Sequence, residues 1–165
     1  MISDNLWFPE IAIREDNLMN ELSNEQKFGN AFHLLMSQCD SPELITKTLQ
    51  KLTDEDKIPL EYKNELTQKA ERTFQKLNEK KIFEEVTKIY NESTIISAID
   101  SIKRPDKIVL KDNETIIIDF KTGTKKDKDL KQITEYAKVL IEMELPQIKA
   151  YLFYTASEEL LEVHC

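Results

Sequence analysis

The sequence predicts an α/β layer architecture, and three observations carry that prediction. Apolar residues keep helical spacing up to about Lys80, short runs rich in Ile, Val, Thr and Tyr follow Lys81, and one more helix and an apolar run close the chain. No internal repeat is visible. At 165 residues the chain has the length of about one domain. It is read as one unit over 1–165, with 1–80 mainly helical and 81–165 a sheet core that includes a helix at 127–144.

The first helix is predicted from Glu25, where Phe28, Phe32, Leu35, Met36 and Cys39 form one stripe. Asp40-Ser41-Pro42 breaks the chain and restarts it, with Ser41 as the cap and Pro42 at the first helical position. Leu44, Ile45, Leu49 and Leu52 continue the pattern, and Tyr62, Leu66, Ala70, Phe74 and Leu77 mark a third helix from about Leu60. Strands are expected at Phe83 to Tyr90, Thr94 to Ile99, Lys107 to Lys111 and Thr115 to Lys121. Leu130, Ile133, Ala137, Leu140 and Ile141 place a helix over Asp127 to Glu144. Pro146 closes it, and Ile148 to Thr155 reads as a buried strand.

Composition then removes several classes of function. With 40% hydrophobic and 33% charged residues the chain reads as globular, not disordered, and no apolar run is long enough to span a bilayer. The acidic N-terminus lacks the basic and apolar stretches of a signal peptide, so a cytoplasmic location is expected, with no membrane partner. The two glycines, Gly29 and Gly123, lie too far apart for a Walker loop or a GxGxxG turn, so no nucleotide is expected to bind by those routes. Two cysteines cannot form a four-thiolate zinc or iron–sulfur site within the chain. A net charge of −8 has the wrong sign for binding nucleic acid by bulk field, so an anionic partner must be held by a local patch or by metal ions.

The stretch RPDKIVLKDNETIIIDFKTG, residues 104–123, carries the chemistry. Asp112-Asn113 suits a two-residue hairpin turn, because both residue types tolerate positive φ. With that turn, residues whose numbers sum to 225 pair, and Asp106 falls opposite Asp119. Like charges directly opposite are destabilising, so the pair calls for a cation. Lys121, on the same face as Asp119, supplies one charge, and a divalent ion would supply more. That points to metal-assisted phosphodiester hydrolysis. An exposed hairpin mouth with solvated charges, or a bulge that shifts the register, is the alternative.

Pro105-Asp106, twelve intervening residues, then Asp119-Phe120-Lys121 resembles the signature of the PD-(D/E)XK nucleases. Gly29-Asn30-Ala31-Phe32-His33 is similar to the G-x-x-x-H helix of RecB/AddA-type nucleases, and Gln132 to Tyr136 to their Q-x-x-x-Y motif. The likeness runs over roughly residues 20 to 163 and is nearest to the C-terminal nuclease domain of AddA-like helicase-nucleases of the UvrD family. It implies a restriction-endonuclease-like core, a mixed central sheet flanked by helices, with an N-terminal helical layer. It also implies Mg²⁺ or Mn²⁺ held by Asp106, Asp119, the Phe120 carbonyl and His33, with Lys121 steadying the attacking water or the phosphoryl charge.

Glu92 matches the family's acidic position before the RPD run, with Glu84 and Glu85 as competing acids, or it is a surface strand glutamate. Gln132 and Tyr136 share one helix face, which in the family positions nucleic acid; packing of the tyrosine against the sheet is the other reading. Lys125, Lys126, Lys128 and Lys131 at the start of that helix are the candidate backbone contacts, or simply a solvated face. The implied activity is that of a DNase, exonuclease more than endonuclease, in recombination and double-strand break repair. The implied partners are DNA, a helicase domain of the same parent protein and an AddB/RecC-like subunit. The cysteine set that encloses an iron–sulfur cluster in AddB-like relatives is missing. The alternative function is a DNA-gripping or structural module of the same fold with little turnover.

Overall fold

The computed structural model describes residues 22–96 and 102–164. Helix α1 (Asn24–Gln38) opens where the Gln26 N–H donates to Ser23 Oγ (3.2 Å) and the Ser23 N–H donates to Gln26 Oε1 (2.8 Å). This reciprocal cap satisfies N–H groups that the first turn cannot pair internally. The predicted stripe faces inward, with Phe32, Leu35, Met36 and Cys39 buried. Ser41 and Pro42 restart the chain as expected, but as a 3₁₀ turn, and the Ser41 hydroxyl does not cap it. Helices α2 (Ile45–Asp54) and α3 (Lys63–Glu79) complete the helical layer.

The strands are β1 (Lys88–Asn91), β2 (Ile95–Ile96), β3 (Ile102–Lys103), β4 (Lys107–Leu110), β5 (Thr115–Lys121), β6 (Ile148–Tyr154) and β7 (Glu159–Val163), with helix α4 (Asp127–Glu142) between β5 and β6. Five of them form one sheet in the order β1-β4-β5-β6-β7, antiparallel except at β5-β6. A parallel neighbour requires a crossover, and α4 provides it. Strands β2 and β3 pair as a separate ribbon. The result is the mixed sheet flanked by helices that a restriction-endonuclease-like fold requires.

Strand β5 lies at the centre of this sheet, and its alternation divides the core. Ile116, Ile118 and Phe120 pack with α1, α2 and α3, while Ile117 packs with Ile133, Ala137 and Leu140 of α4. Both faces are covered, which is why TIIIDF reads as an almost unbroken apolar run. Asp119 interrupts that run on the α4 face. Lys107, fully buried on the other face, bonds Asp40 Oδ1 (2.7 Å), the Cys39 carbonyl and Asn91 Oδ1, tying the end of α1 to β1 and β4.

Other details add to or differ from the sequence reading, among them strand β3, which it does not contain. Residues 81–85 are turns, because Lys81 and Glu85 adopt positive φ (56° and 53°), so the strand expected from Phe83 begins only at Lys88. Neither Asp112 nor Asn113 is at positive φ, although the two-residue connection forms. Of the strand expected over Thr94 to Ile99, Ile95–Ile96 is present and residues 97–99 lie outside the described residues. Strand β7 is not anticipated: as an edge strand with no fully buried residue, ELLEV has only a weak alternation. No helix among the described residues is long and apolar enough to cross a membrane.

Gly29 sets how closely α1 approaches the sheet. A Cβ there would lie 2.8 Å from Thr122 Oγ1 and 3.0 Å from Thr122 Cβ, and the second contact cannot be relieved by rotating the threonine. Gly29→Ala should therefore lose about 1–3 kcal/mol to overpacking, against a helix-propensity gain of about 1 kcal/mol. Urea unfolding is expected to show a net loss that Thr122→Ala partly restores. A Gly29→Ala protein more stable than wild type would contradict the tight contact.

Candidate active site

The register of the β4–β5 hairpin is the one predicted from a turn at 112–113. Lys107 pairs with Ile118, Ile108 with Ile117, Val109 with Ile116 and Leu110 with Thr115. One step beyond the end of β4, Asp106 falls opposite Asp119. The Lys111 N–H donates to the Glu114 carbonyl (2.9 Å), so hydrogen-bonding positions recur at every second pair, and Pro105 faces Phe120 at one of them. Proline has no N–H to donate to the Phe120 carbonyl. The ladder stops there, and the Phe120 N–H bonds Asp106 Oδ2 instead (2.7 Å).

His33 reaches the same oxygen from α1, its Nδ1 3.4 Å from Asp106 Oδ2 and its ring edge-on to Phe120. It sits one helical turn after Gly29, so the close approach of α1 at Gly29 is what brings the imidazole over the sheet edge. Lys121 leaves β5 on the face of Asp119, with Nζ 2.5 Å from Asp119 Oδ2. Its hydrogen bond, however, goes to Gln132 Oε1 (2.6 Å), and Gln132 Nε2 donates to the Tyr136 hydroxyl oxygen (2.8 Å). A lysine only donates, so the amide oxygen must face it and the amide nitrogen must face the phenol. Asp119 Oδ2 is buried and has no aligned hydrogen-bond donor.

Charge makes this arrangement costly. Burial, and then the charge of the neighbouring Asp106, push Asp119 up to about 6 against the opposing effects of Lys121 and His33. For His33, burial lowers the pKa, but the hydrogen bond and charge of Asp106, followed by the charge of Asp119, outweigh it and leave the imidazole raised. Tyr136 is pushed up to about 12 by burial and then by Asp119 and Asp106.

No cluster of three or more His, Cys, Asp or Glu side chains is closed into a metal cage among the described residues. The donor chemistry nonetheless suits a hard divalent ion. The Asp119 carboxylate is buried with a second carboxylate opposite, the Phe120 carbonyl faces a proline, and one ammonium, that of Lys121, contacts Asp119.

A cleft of about 670 Å³ contains His33, Asp106, Asp119, Phe120, Lys121, Gln132 and Tyr136. Lys126, Lys128 and Lys131 line it as the sequence predicts, but Lys125 does not. Its ammonium pairs with Glu159 (2.5 Å) and lies over the Tyr154 ring, turned toward the strands. Glu92 also does not line the cleft, because Arg104 holds its carboxylate (2.7 Å). Arg104, absent from the predicted set, does line it; the only sequence signal was its place directly before Pro105-Asp106. Asp129, also missed, accepts the Lys126 N–H (3.1 Å) and the Tyr154 hydroxyl (3.3 Å), capping α4 at the cleft.

A carboxylate whose folded pKa exceeds its unfolded value contributes stability below the unfolded pKa and loses it as pH rises through the folded one. The raised imidazole of His33 behaves with the same sign. In EDTA, Asp119→Asn should therefore be more stable than wild type at pH 8 by about 1–3 kcal/mol, with the gap closing as pH falls from 6 to 4. Thermal unfolding across that range checks the sign; a gap that widens on acidification would contradict it.

Comparison with known proteins agrees with this geometry. A family model described as the PD-(D/E)XK nuclease superfamily matches residues 10–163, and that span takes in the helix of His33, both aspartates and the lysine. No curated protein matches the chain. With that match covering nearly its whole length, the chain belongs to the PD-(D/E)XK nuclease superfamily.

Proposed function

We propose that the chain is a metal-dependent deoxyribonuclease domain that hydrolyses phosphodiester bonds at the cleft between α1, β5 and α4. The observation that carries this reading is the buried Asp119 carboxylate opposite Asp106, with the ammonium of Lys121 against Asp119, in a cleft rimmed by lysines on a chain of net charge −8. Asp106, Asp119 and the Phe120 carbonyl would hold Mg²⁺ or Mn²⁺, with His33 as the fourth group at the edge. When bound, such an ion supplies Lewis acidity that lowers the pKa of water and screens phosphoryl charge.

The chain's own groups do the rest. Lys121, held between Asp119 and Gln132, would direct its ammonium to the attacking water or to the charge developing on the phosphoryl oxygens. Gln132 and Tyr136 act through Lys121, fixing its direction with a hydrogen-bonded relay of set polarity. Lys126, Lys128 and Lys131 take backbone phosphates along the α4 side of the cleft.

The finer reading is a RecB/AddA-type exonuclease module working beside a helicase domain, and with an AddB/RecC-like subunit, in recombination and break repair. Its support is that the G-x-x-x-H, PD, DxK and Q-x-x-x-Y segments all border one cleft. End-labelled single- and double-stranded DNA, incubated with Mg²⁺, Mn²⁺ or EDTA, tests both levels. Cleavage should require the ion, and Asp119→Ala or Lys121→Ala should reduce it at least about 100-fold without loss of fold. Activity that survives EDTA or Asp119→Ala would overturn the reading, and DNA binding without turnover would favour a gripping module.

Gln132→Ala should lower kcat about tenfold and leave KM near wild type, as expected for a group that positions the lysine. A rise in KM alone would instead place Gln132 on the nucleic acid.

A further inference from the structure

Glu92 and Arg104 form a unit that the catalytic reading leaves unused. Glu92 stands at φ 44°, a left-handed conformation that a side chain with a Cβ rarely adopts, and its N–H donates to the Asp106 carbonyl (2.8 Å). In that conformation it offers Arg104 two acceptors at once. The guanidinium Nε donates to the Glu92 carbonyl (2.9 Å) and Nη2 donates to Glu92 Oε2 (2.7 Å). Both bonds use one edge of the planar fork, so among the described residues the Nη1 side is left for a ligand.

Arg104 lies two residues before Asp106 and lines the same cleft as both aspartates, Lys121 and Gln132. Its side chain remains 63% exposed. Lys126, Lys128 and Lys131, at and near the start of α4, line the same cleft. An anionic strand lying across the acid pair would meet Arg104 as well as the α4 lysines, and Arg104 is oriented in advance by a second residue, Glu92.

We propose that Arg104 is a phosphate-binding residue that grips the nucleic-acid backbone beside the scissile position, and that Glu92 is its positioning residue rather than an acid of the metal site. The proposal rests on the nuclease reading above and specifies how that site takes its substrate. Holding the guanidinium from behind leaves it less side-chain freedom to lose on binding, and its fork matches two phosphate oxygens as a lysine cannot.

The test uses a fluorescent single-stranded oligonucleotide titrated in EDTA, where no turnover occurs, together with cleavage assays in Mg²⁺. Arg104→Ala should weaken binding about tenfold and reduce the slope of log affinity against log salt by about one, while Mn²⁺ binding stays as in wild type. Arg104→Lys should keep the salt slope but recover only part of the affinity. Glu92→Ala should also weaken binding, and adding it to Arg104→Ala should change nothing further.

Tighter binding by Glu92→Ala would show that the glutamate merely competes for the arginine and would overturn its positioning role. Loss of Mn²⁺ binding in Glu92→Ala would return that residue to the metal site. Wild-type affinity and salt slope in Arg104→Ala, with wild-type cleavage intact, would overturn the arginine assignment while leaving the nuclease reading standing. Absence of both cleavage and oligonucleotide binding in wild type would remove the two together. Arg104→Lys keeps the length and charge of the side chain and so covers the case in which the alanine variant fails to fold.

Discussion

The confrontation of Asp106 with Asp119 across the open end of a β-hairpin is the constraint around which the rest of the protein is arranged. A carboxylate on a central strand, covered on its own face by α4 and 4% exposed, has little solvent to stabilise its charge and a like charge opposite. Every nearby element supplies part of the compensation. The Phe120 N–H takes one oxygen of Asp106, His33 approaches that same oxygen, and the Lys121 ammonium stands against Asp119. These partners only partly offset the burial of Asp119 and the charge of Asp106, and the Asp119 carboxyl stays well above its usual range.

Small backbone features keep that arrangement in place. Pro105 ends the β4–β5 ladder by lacking an N–H, and in doing so leaves a main-chain carbonyl beside the acids. Gly29 lets α1 come close enough for an imidazole one turn later to reach the sheet edge. Buried Lys107, one residue after Asp106, anchors the start of β4 to the end of α1 through Asp40 and the Cys39 carbonyl. Together they make the distance between helix and hairpin a property of packing.

Much of this was readable from the sequence because two strong periodicities and one register decide it. The stripe from Phe28 to Cys39 fixes the buried face of α1, and a two-residue connection at 112–113 fixes which residue faces Asp119, since a slip of one position would turn the apolar residues of β5 to the wrong faces. What was not readable depends on side-chain partners distant in sequence. Lys125 belongs to the basic run but is drawn aside by Glu159, more than thirty residues away, on a strand whose pattern was too weak to predict. Glu92 carries the right residue type before the RPD segment, and only its left-handed backbone and the reach of Arg104 show that it faces another way. The relay from Lys121 through Gln132 to Tyr136 follows from i, i+4 spacing once α4 is known to lie over β5.

The central claim is that the two carboxylates share an electrostatic problem that a divalent cation solves. Isothermal titration of Mn²⁺ into the metal-free protein at pH 6, repeated in buffers of different ionisation enthalpy, tests it most directly, because a proton held by the acid pair must leave when the ion enters. Binding with proton release that Asp106→Asn abolishes is the predicted result. Binding that releases no proton, or that Asp106→Asn leaves unchanged, would contradict the account.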